Sequence, residues 1–134
     1  VPNIPRLVVL KLGGTATFPE LPKAMEVDWN PPEQTGTPEQ IATGRSNYAR
    51  NCLVCHGDSA IGNGFTPDLR ISPTLADAET WKAIVLDGAL KDNGMVGFAS
   101  HMKADQAEAI RHYVIERSHW TKANIPEMAA PTAR

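Results

Sequence analysis

The chain has 134 residues, of which thirteen are basic and fifteen acidic, and its formal net charge is −2. This length suits a single domain with tails, and the balanced charge, without a basic run, excludes the electrostatic footprint of a nucleic-acid binder. Eleven prolines and ten glycines exceed what most helical domains of this size carry, so we expect much of the chain to be loop.

Residues 1–36 combine several prolines with one short apolar run. Leu7 to Leu12, followed by a glycine pair, predicts a strand and a turn, and the proline-rich remainder predicts an extended linker. Lys11 interrupts the run well short of the roughly 18 residues that a membrane span needs, so we expect no transmembrane segment. The run also lacks the features of a secretory signal. Because the chain begins at Val1, we interpret it as a mature or excised product.

A capping box marks the start of the first predicted helix. It places a proline at the first helical position and a glutamine where it can bond back to the N-cap, in the sequence Thr37-Pro38-Glu39-Gln40. Ile41, Gly44 and Tyr48 then follow at spacings of three and four on one face. The helix therefore leads into the segment that contains both cysteines.

Two further helices and a tail are predicted after the cysteines. Asp77 can cap a short helix with Trp81 on its apolar side, and Gly88 can end it in a left-handed conformation. The most periodic stretch runs from about Ala104 to Ser118, and its apolar face predicts docking on the first helix. Residues 121–134 hold two prolines and no useful periodicity, so we expect a tail that lies along the surface or is disordered.

The chemistry of the sequence lies in the motif Cys52-Leu53-Val54-Cys55-His56. Two thiols separated by two residues can each add to one vinyl group of a haem, and the adjacent histidine is then delivered to the iron. A zinc site usually requires four Cys or His ligands in two clusters, and the sequence has no second cysteine pair. A thioredoxin-like redox pair needs a preceding strand, and a disulfide across two residues would stabilise little. Covalent haem attachment is the favoured interpretation, with these three as its alternatives.

Around this motif the sequence resembles class I cytochrome c. The resemblance covers 37–120 and includes Gly57 after the motif, Pro67-Asp68-Leu69, and a Gly94-Met95 loop before the last helix. Three segments are similar to the C-terminal haem domain of PQQ-dependent quinohaemoprotein alcohol dehydrogenases, namely Thr66-Pro67-Asp68-Leu69-Arg70, Ile84 to Leu90, and Asn93 to Phe98. The resemblance implies an all-α cytochrome c fold of short helices around one covalently bound haem.

The same resemblance divides the chain into three parts. Leu7 to Gly14 is similar to the end of the propeller domain of those dehydrogenases. Residues 1–36 would therefore be a propeller remnant and interdomain linker, residues 37–120 the cytochrome c domain, and residues 121–134 a C-terminal tail.

The resemblance also implies which residues hold the iron. Cys52 and Cys55 would form the thioethers, and His56 and Met95 would be the two axial ligands, the soft sulfur favouring the ferrous state. His101 and Met102 stay open as competitors of Met95, since either follows within seven residues.

The remaining haem contacts follow from the resemblance too. The Pro67 carbonyl would accept a hydrogen bond from His56, and Arg70 would approach a haem propionate, with an exposed arginine as the alternative. Trp81 and Phe98 would pack against the haem edge, with simple core packing as the alternative. Gly44 against Tyr113 resembles the close crossing of the first and last helices.

Filled axial positions imply one-electron transfer, with no open iron site for a substrate. Electrons would come singly from the reduced PQQ of a dehydrogenase during alcohol oxidation and pass to a small copper protein, another cytochrome or a quinone pathway. PQQ and calcium would belong to the missing parent domain, so we expect the chain alone to oxidise no alcohol. Covalent haem attachment in bacteria takes place outside the inner membrane, which predicts the periplasm.

Two other functions stay open at this point. One is a free-standing soluble cytochrome c electron carrier without a dehydrogenase parent. The other is a haem sensor or peroxidase-like enzyme, which requires a sixth ligand that is absent or released on reduction. The alcohol and the physiological acceptor have no signal in the sequence.

Overall fold

A computed structural model describes residues 9–17, 27–62 and 65–129, and in these ranges the chain forms four α-helices and no β-strand. The helices are α1 (Pro38–Asn51), α2 (Leu53–His56), α3 (Ala78–Val85) and α4 (Ala104–Ala129). Short 3-10 turns connect them, at Asp58–Ala60, Leu69–Ile71, Pro73–Ala76 and Lys91–Asn93. None of the described helices is both long and apolar enough to cross a membrane. The predicted all-α class is confirmed.

The capping box forms at the start of α1 as predicted. The Thr37 hydroxyl accepts a hydrogen bond from the Gln40 N–H at 3.2 Å, and the Gln40 side chain accepts one from the Thr37 N–H at 2.8 Å. Two orphan donors of the first turn are thereby satisfied. At the other end the Cys52 N–H still donates to the Tyr48 carbonyl at 2.8 Å, so the helix delivers the chain directly into the cysteine motif.

Helices α1 and α4 cross in contact at Gly44, which confirms the predicted docking. A Cβ atom at Gly44 would overlap the Ala109 carbonyl and lie 3.0 Å from the Tyr113 Cβ. The rings of Tyr48 and Tyr113 meet beside the crossing with their centroids 5.2 Å apart. The missing side chain therefore allows the two backbones to approach closely, and the aromatic pair fills the adjoining space.

Helix α3 begins at the predicted cap. The Asp77 carboxylate accepts hydrogen bonds from the N–H groups of Glu79 at 3.0 Å and Thr80 at 3.3 Å, and Trp81 is buried on the inner face. Gly88, with φ of +72°, lies three residues beyond the helix end and turns the chain. The position of the predicted left-handed glycine is thus confirmed.

Helix α4 corrects the prediction for the C-terminus. It continues to Ala129, so the expectation of an irregular tail over 121–134 is wrong as far as residue 129, and residues 130–134 lie outside the described part. After Ile115, the buried side of the helix carries hydroxyl groups instead of apolar side chains, since Ser118 is 0% and Thr121 2% exposed. Hydrophobic periodicity does not count such residues, which is why the helix was predicted too short.

The predicted strand at Leu7 to Leu12 is not found. Residues 1–8 lie outside the described part, and residues 9–12 are exposed and form no strand. The chain turns here, with the Gly14 N–H donating to the Lys11 carbonyl at 3.0 Å. An isolated strand is not stable, and the described residues offer no second strand for it to pair with.

Residues 27–36, which we call the strap, are extended as predicted for a linker but lie along α4. The Gln34 side chain donates to the His112 carbonyl at 2.8 Å, and its oxygen lies 3.1 Å from His112 Nδ1. His119 Nε2 donates to the Pro32 carbonyl at 2.8 Å. The expected boundary at residue 36 therefore separates extended from helical chain, while the packing continues across it.

Candidate haem site

Four of the predicted site residues, Cys52, Trp81, Met95 and Phe98, meet at one hydrophobic core. Cys52, Met95 and Phe98 are partly buried and pack, together with Leu69, against a cluster of fully buried side chains. That cluster consists of Tyr48, Ala60, Leu75, Trp81, Val85, Leu86, Met102, Ala107, Ile110, Tyr113, Val114 and Ile115. The fold thus gathers around a single apolar body residues that are far apart in the sequence.

The cysteine motif forms one tight turn at the end of α1. The N–H of His56 donates to the Cys52 carbonyl at 2.9 Å, and Gly57, with φ of +73°, ends α2 immediately afterwards. Cys52 is half-buried, Cys55 is exposed, and His56 is only 7% exposed. The two thiols and the imidazole are therefore carried by a single turn of backbone.

The environment of the thiols argues against two of the alternatives. Burial, aided by the neighbouring Cys55, raises the pKa of Cys52 to about 12. A thiol of this kind is protonated near neutral pH, whereas a thioredoxin-like pair depends on an accessible thiolate of lowered pKa. Among the residues that the structure describes, no three His, Cys, Asp or Glu side chains are grouped to hold a metal ion such as zinc.

His56 has the properties of an iron ligand. Its Nδ1 atom is buried without a hydrogen-bond partner among the described residues. Burial lowers the pKa of His56, and the Pro67 carbonyl opposes this by raising it. The imidazole is therefore neutral near pH 7 and has a lone pair to give to a metal. The Pro67 carbonyl lies near the ring, but Nδ1 has no partner in the part of the chain that the structure describes, and the predicted hydrogen bond from His56 to Pro67 stays a prediction.

Three hydrogen bonds that were not predicted fix the carbonyls of the motif. They run from Tyr48 Oη to the Gly57 carbonyl at 2.7 Å, from the Gly62 N–H to the His56 carbonyl at 2.8 Å, and from Thr66 Oγ1 to the Cys55 carbonyl at 2.7 Å. The sequence marked Tyr48 only as a member of an apolar face, and nothing in it pairs a tyrosine with a carbonyl nine residues later.

Met95 lies in a loop that is attached to the end of α3. Gly94 turns the chain with φ of +92°, and the Phe98 N–H then donates to the Val85 carbonyl at 2.9 Å. Its two competitors differ in placement, since Met102 is 5% exposed within the core and His101 is exposed. Met95 is thus half-buried at the edge of the core, and its choice as the sixth ligand over Met102 and His101 stays a prediction.

Trp81 and Phe98 both pack at this core. Trp81 is 4% exposed, and its Nε1 donates to the Ala107 carbonyl of α4 at 2.9 Å. Phe98 is half-buried, with its ring edge-on to His101 at 5.3 Å. For Trp81 the hydrogen bond to α4 shows a packing role in the core, and the predicted haem contacts of both rings stay predictions.

Arg70 is not the exposed arginine of the alternative prediction. It is 8% exposed and forms an ion pair with Asp68 at 2.6 Å. It also donates to Thr121 Oγ1 at 3.0 Å. A haem propionate would have to share this guanidinium with both partners, and the predicted contact stays a prediction.

Residues 39–114, more than half of the chain, match the family described as cytochrome c oxidase, cbb3-type, subunit III. The chain belongs to this cytochrome c family. Membership confirms the predicted fold and implies a haem c and a role in electron transfer. The residues present fit that group chemically, since they offer two thiols, a neutral buried imidazole and a half-buried thioether.

The chain is similar to parts of larger dehydrogenases. It is 40% identical over 118 residues to quinohemoprotein alcohol dehydrogenase ADH IIB of Pseudomonas putida, covering 87% of this chain and 17% of that protein. A solved structure of quinohemoprotein alcohol dehydrogenase ADHIIG from Pseudomonas putida HK5 matches with a TM-score of 0.64 and 32% identity, covering 84% of this chain and 16% of that one. The chain therefore spans about a sixth of the length of these relatives.

A smaller relative matches as well. Cytochrome c550 of Pseudomonas aeruginosa is 36% identical over 77 residues, which cover 55% of this chain and 53% of that protein. The cytochrome domain is thus similar both to a part of large dehydrogenases and to a small cytochrome.

Proposed function

We propose that this chain is the electron-transfer domain of a PQQ-dependent alcohol dehydrogenase, with one haem c bound through thioethers to Cys52 and Cys55. The observation that carries the proposal is the single turn of two thiols and one buried, neutral histidine, built onto the core of a cytochrome c fold. Similarity to the haem-bearing part of quinohemoprotein dehydrogenases supports the parent.

In this proposal His56 and Met95 would hold the haem iron. When bound, the haem supplies a one-electron couple at its iron. His56 provides a neutral imidazole from a buried position, and Met95 provides a thioether from the loop attached to α3. With both residues bound to it, the iron would leave no place for a substrate, so the domain would exchange electrons without bond chemistry.

The other residues of the site orient the ligands and exclude water. In this proposal the Pro67 carbonyl, which lies beside the His56 ring, would fix its orientation by accepting the ring N–H, since a carbonyl partner selects the tautomer of a ligating histidine. Trp81 and Phe98 contribute apolar surface on the core side. A low local dielectric of this kind favours a high potential, because the ferric state carries the additional charge.

The donor would be the reduced PQQ of a propeller dehydrogenase domain, which would hold PQQ and calcium. The acceptor would be a separate small copper protein, a cytochrome or a quinone pathway. We place the protein in the periplasm, because covalent haem attachment in bacteria takes place outside the inner membrane.

Covalent attachment is tested first. We expect the haem to remain with the denatured chain through acid–acetone extraction, and the intact mass to show one haem per chain. Cys52→Ala and Cys55→Ala should each weaken or abolish maturation, whereas Ser59→Ala, a nearby change outside the motif, should leave it intact. Extraction of the haem from the wild-type chain would refute the proposal.

A second candidate is a free-standing cytochrome c electron carrier, favoured by the similarity to cytochrome c550. An antibody raised against this domain decides between the two when it is applied to the periplasmic fraction of the native host. A polypeptide several times longer than this chain that copurifies with PQQ supports the dehydrogenase parent. A polypeptide of about this size, reduced by other cytochromes, supports the carrier.

A further inference from the structure

The Arg70 guanidinium binds both carboxylate oxygens of Asp68, the residue that follows Pro67, and we call this pair the Arg70–Asp68 fork. Its Nε donates to Asp68 Oδ1 at 2.9 Å and its Nη2 donates to Asp68 Oδ2 at 2.6 Å, while the Arg70 N–H adds a third bond to Oδ1 at 3.0 Å. Both carboxylate oxygens are thus held by one residue in the bidentate geometry that only arginine provides.

The Arg70 backbone and guanidinium are both anchored to α4. Arg70 Nη1 donates to Thr121 Oγ1 at 3.0 Å, and the Ser118 hydroxyl donates to the Arg70 carbonyl at 2.5 Å. On the remaining face, the guanidinium lies 5.2 Å from the ring centroid of Trp29 in the strap. Three separate parts of the chain therefore meet at one buried cation.

Stability alone is a weak explanation for such a cluster. A buried ion pair contributes little compared with apolar side chains of similar volume, because the two charges must be removed from water. Ser118 and Thr121 are almost completely buried, and an apolar residue at either position would be the ordinary choice in a helix core. The arrangement is better explained by the geometry that it imposes on its neighbours.

Pro67 directly precedes Asp68, so the ion pair holds the chain next to the Pro67 carbonyl. On the opposite side, a Cβ atom at Gly62 would lie 2.7 Å from the Thr66 carbonyl oxygen and 2.9 Å from that of Pro67. Thr66 is in turn bonded to the Cys55 carbonyl. The Pro67 carbonyl is therefore confined between the loop after the motif and the Arg70–Asp68 fork.

We propose that Arg70 is a positioning residue of the haem site, which holds Asp68 against α4 and thereby fixes the Pro67 carbonyl beside the His56 imidazole. The inference rests on the proposed function, in which His56 is an iron ligand. A carbonyl that accepts the ring N–H makes the imidazole a stronger donor and stabilises ferric iron, so a well-held carbonyl lowers the reduction potential. In this role Arg70 acts through Pro67 instead of through a haem propionate.

The test compares matured, haem-bearing full chains that carry Arg70→Lys or Thr121→Val. Lysine keeps the positive charge and loses the fork, and valine keeps the shape of Thr121 and loses its hydroxyl. We expect Arg70→Lys to shift the equilibrium toward the reduced state by up to about tenfold, which is about 59 mV for one electron. Thr121→Val should shift it in the same direction by less, and NMR of the reduced proteins should show faster solvent exchange of the His56 ring N–H.

Arg111→Lys is the matched control. Arg111 lies on α4 and is nearly as buried as Arg70, and it pairs with Glu108 at 2.5 Å and donates to the Leu75 carbonyl at 2.6 Å. Its hydrogen bonds go to Glu108 and to the Leu75 carbonyl and not to Asp68 or Pro67. The same chemical change should therefore lower thermal stability and leave both the potential and the His56 proton exchange unchanged.

Two results would overturn the proposal. If Arg70→Lys and Thr121→Val reduce thermal stability with an unchanged potential, the cluster is purely structural. If the potential falls, Arg70 acts on a propionate, because a weakened positive partner there favours ferric iron. Should Arg70→Lys fail to mature, Thr121→Val and Ser118→Ala decide by the same criteria. Absence of covalent haem in the wild-type chain would instead refute the proposed function, and it is detected before any of these variants is measured.

Discussion

At the scale of single residues, Met95 decides the redox properties in the proposed function. Met95→Leu keeps an apolar side chain of similar size and removes the sulfur, so we expect the loss of the sulfur-to-iron charge-transfer band of the oxidised protein and a lower reduction potential. The absorption spectrum of the ferric protein and a potentiometric titration measure the two effects.

Met102→Leu is the control for this experiment. Met102 is 5% exposed in the core, and leucine preserves most of its volume, so the change should cost less than about 1.5 kcal/mol in stability. The Met102→Leu variant should retain both the sulfur-to-iron charge-transfer band and the reduction potential of the wild type. If the band is lost in Met102→Leu and kept in Met95→Leu, the ligand is Met102.

His112 gives the fold a pH dependence. It is 5% exposed between Gln34 of the strap and Glu108, and burial lowers its pKa, aided by Arg111 and opposed by Glu108. The unfolded chain, with a histidine pKa of about 6.5, therefore binds the proton more readily. The contribution of His112 to the unfolding free energy is therefore fully present above about pH 6.5. It is lost as the pH falls from there toward the lower pKa of the folded state.

We expect the wild type to lose unfolding free energy as the pH falls from about 7.5 to about 5, and His112→Gln to lose less over the same range. The pKa of Glu108 is lowered by Arg111, so its charge is constant in this window. Denaturant titrations at both pH values measure the effect, with His119→Gln, an exposed histidine on the same helix, as the control. If wild type and His112→Gln lose the same unfolding free energy between the two pH values, His112 is not the group responsible.

At the scale of elements, the crossing of α1 and α4 depends on Gly44. Helix propensity alone predicts that Gly44→Ala stabilises α1 by about 1 kcal/mol. The added Cβ would overlap the Ala109 carbonyl, which belongs to backbone and cannot rotate away, and such overpacking costs about 1–3 kcal/mol or more. We therefore expect a net destabilisation, measured by denaturant unfolding of the haem-bearing chain.

An exposed position on the same helix separates packing from propensity. Ser46→Ala lies on the outer side of α1 and should change the unfolding free energy by less than about 0.5 kcal/mol. A stabilised Gly44→Ala variant would mean that the helices can move apart without loss, and that the crossing is not as tight as described.

At the scale of the whole molecule, the strap belongs to the folded body of the domain. Removal of residues 1–36 takes away its hydrogen bonds to α4 and uncovers His112, against which Gly36 packs so closely that a Cβ there would lie 2.5 Å from the His112 ring. We expect this truncation to lower the unfolding free energy by roughly 2–4 kcal/mol, at about 1 kcal/mol for each hydrogen bond and the remainder from lost packing.

Removal of residues 1–17 is the corresponding control, because residues 9–17 are exposed. It should leave the stability and the pH dependence nearly unchanged. Equal stability of the two truncated chains would show that the strap contacts contribute nothing and that residue 36 is a true domain boundary.

The sequence by itself determined the features that depend on neighbours along the chain. The capping box at Thr37 and the cap at Asp77 are formed by donors within three residues, and the cysteine motif needs only one turn of backbone to bring its thiols to His56. Such patterns can be recognised in the sequence because they depend only on neighbouring residues. The family resemblance around them predicted the fold and the choice of Met95 as an iron ligand.

The tertiary structure alone decided the polar contacts between distant segments. Arg70 meets Thr121 across 51 residues, and Gln34 meets His112 across 78. Neither pair has a periodic or compositional signature, because a buried hydroxyl or amide is indistinguishable in sequence from a solvated one until its partner is in place. For the same reason the sequence predicted α4 too short and gave no sign that the strap docks on it, since both features depend on polar groups that are buried only after the helices have packed.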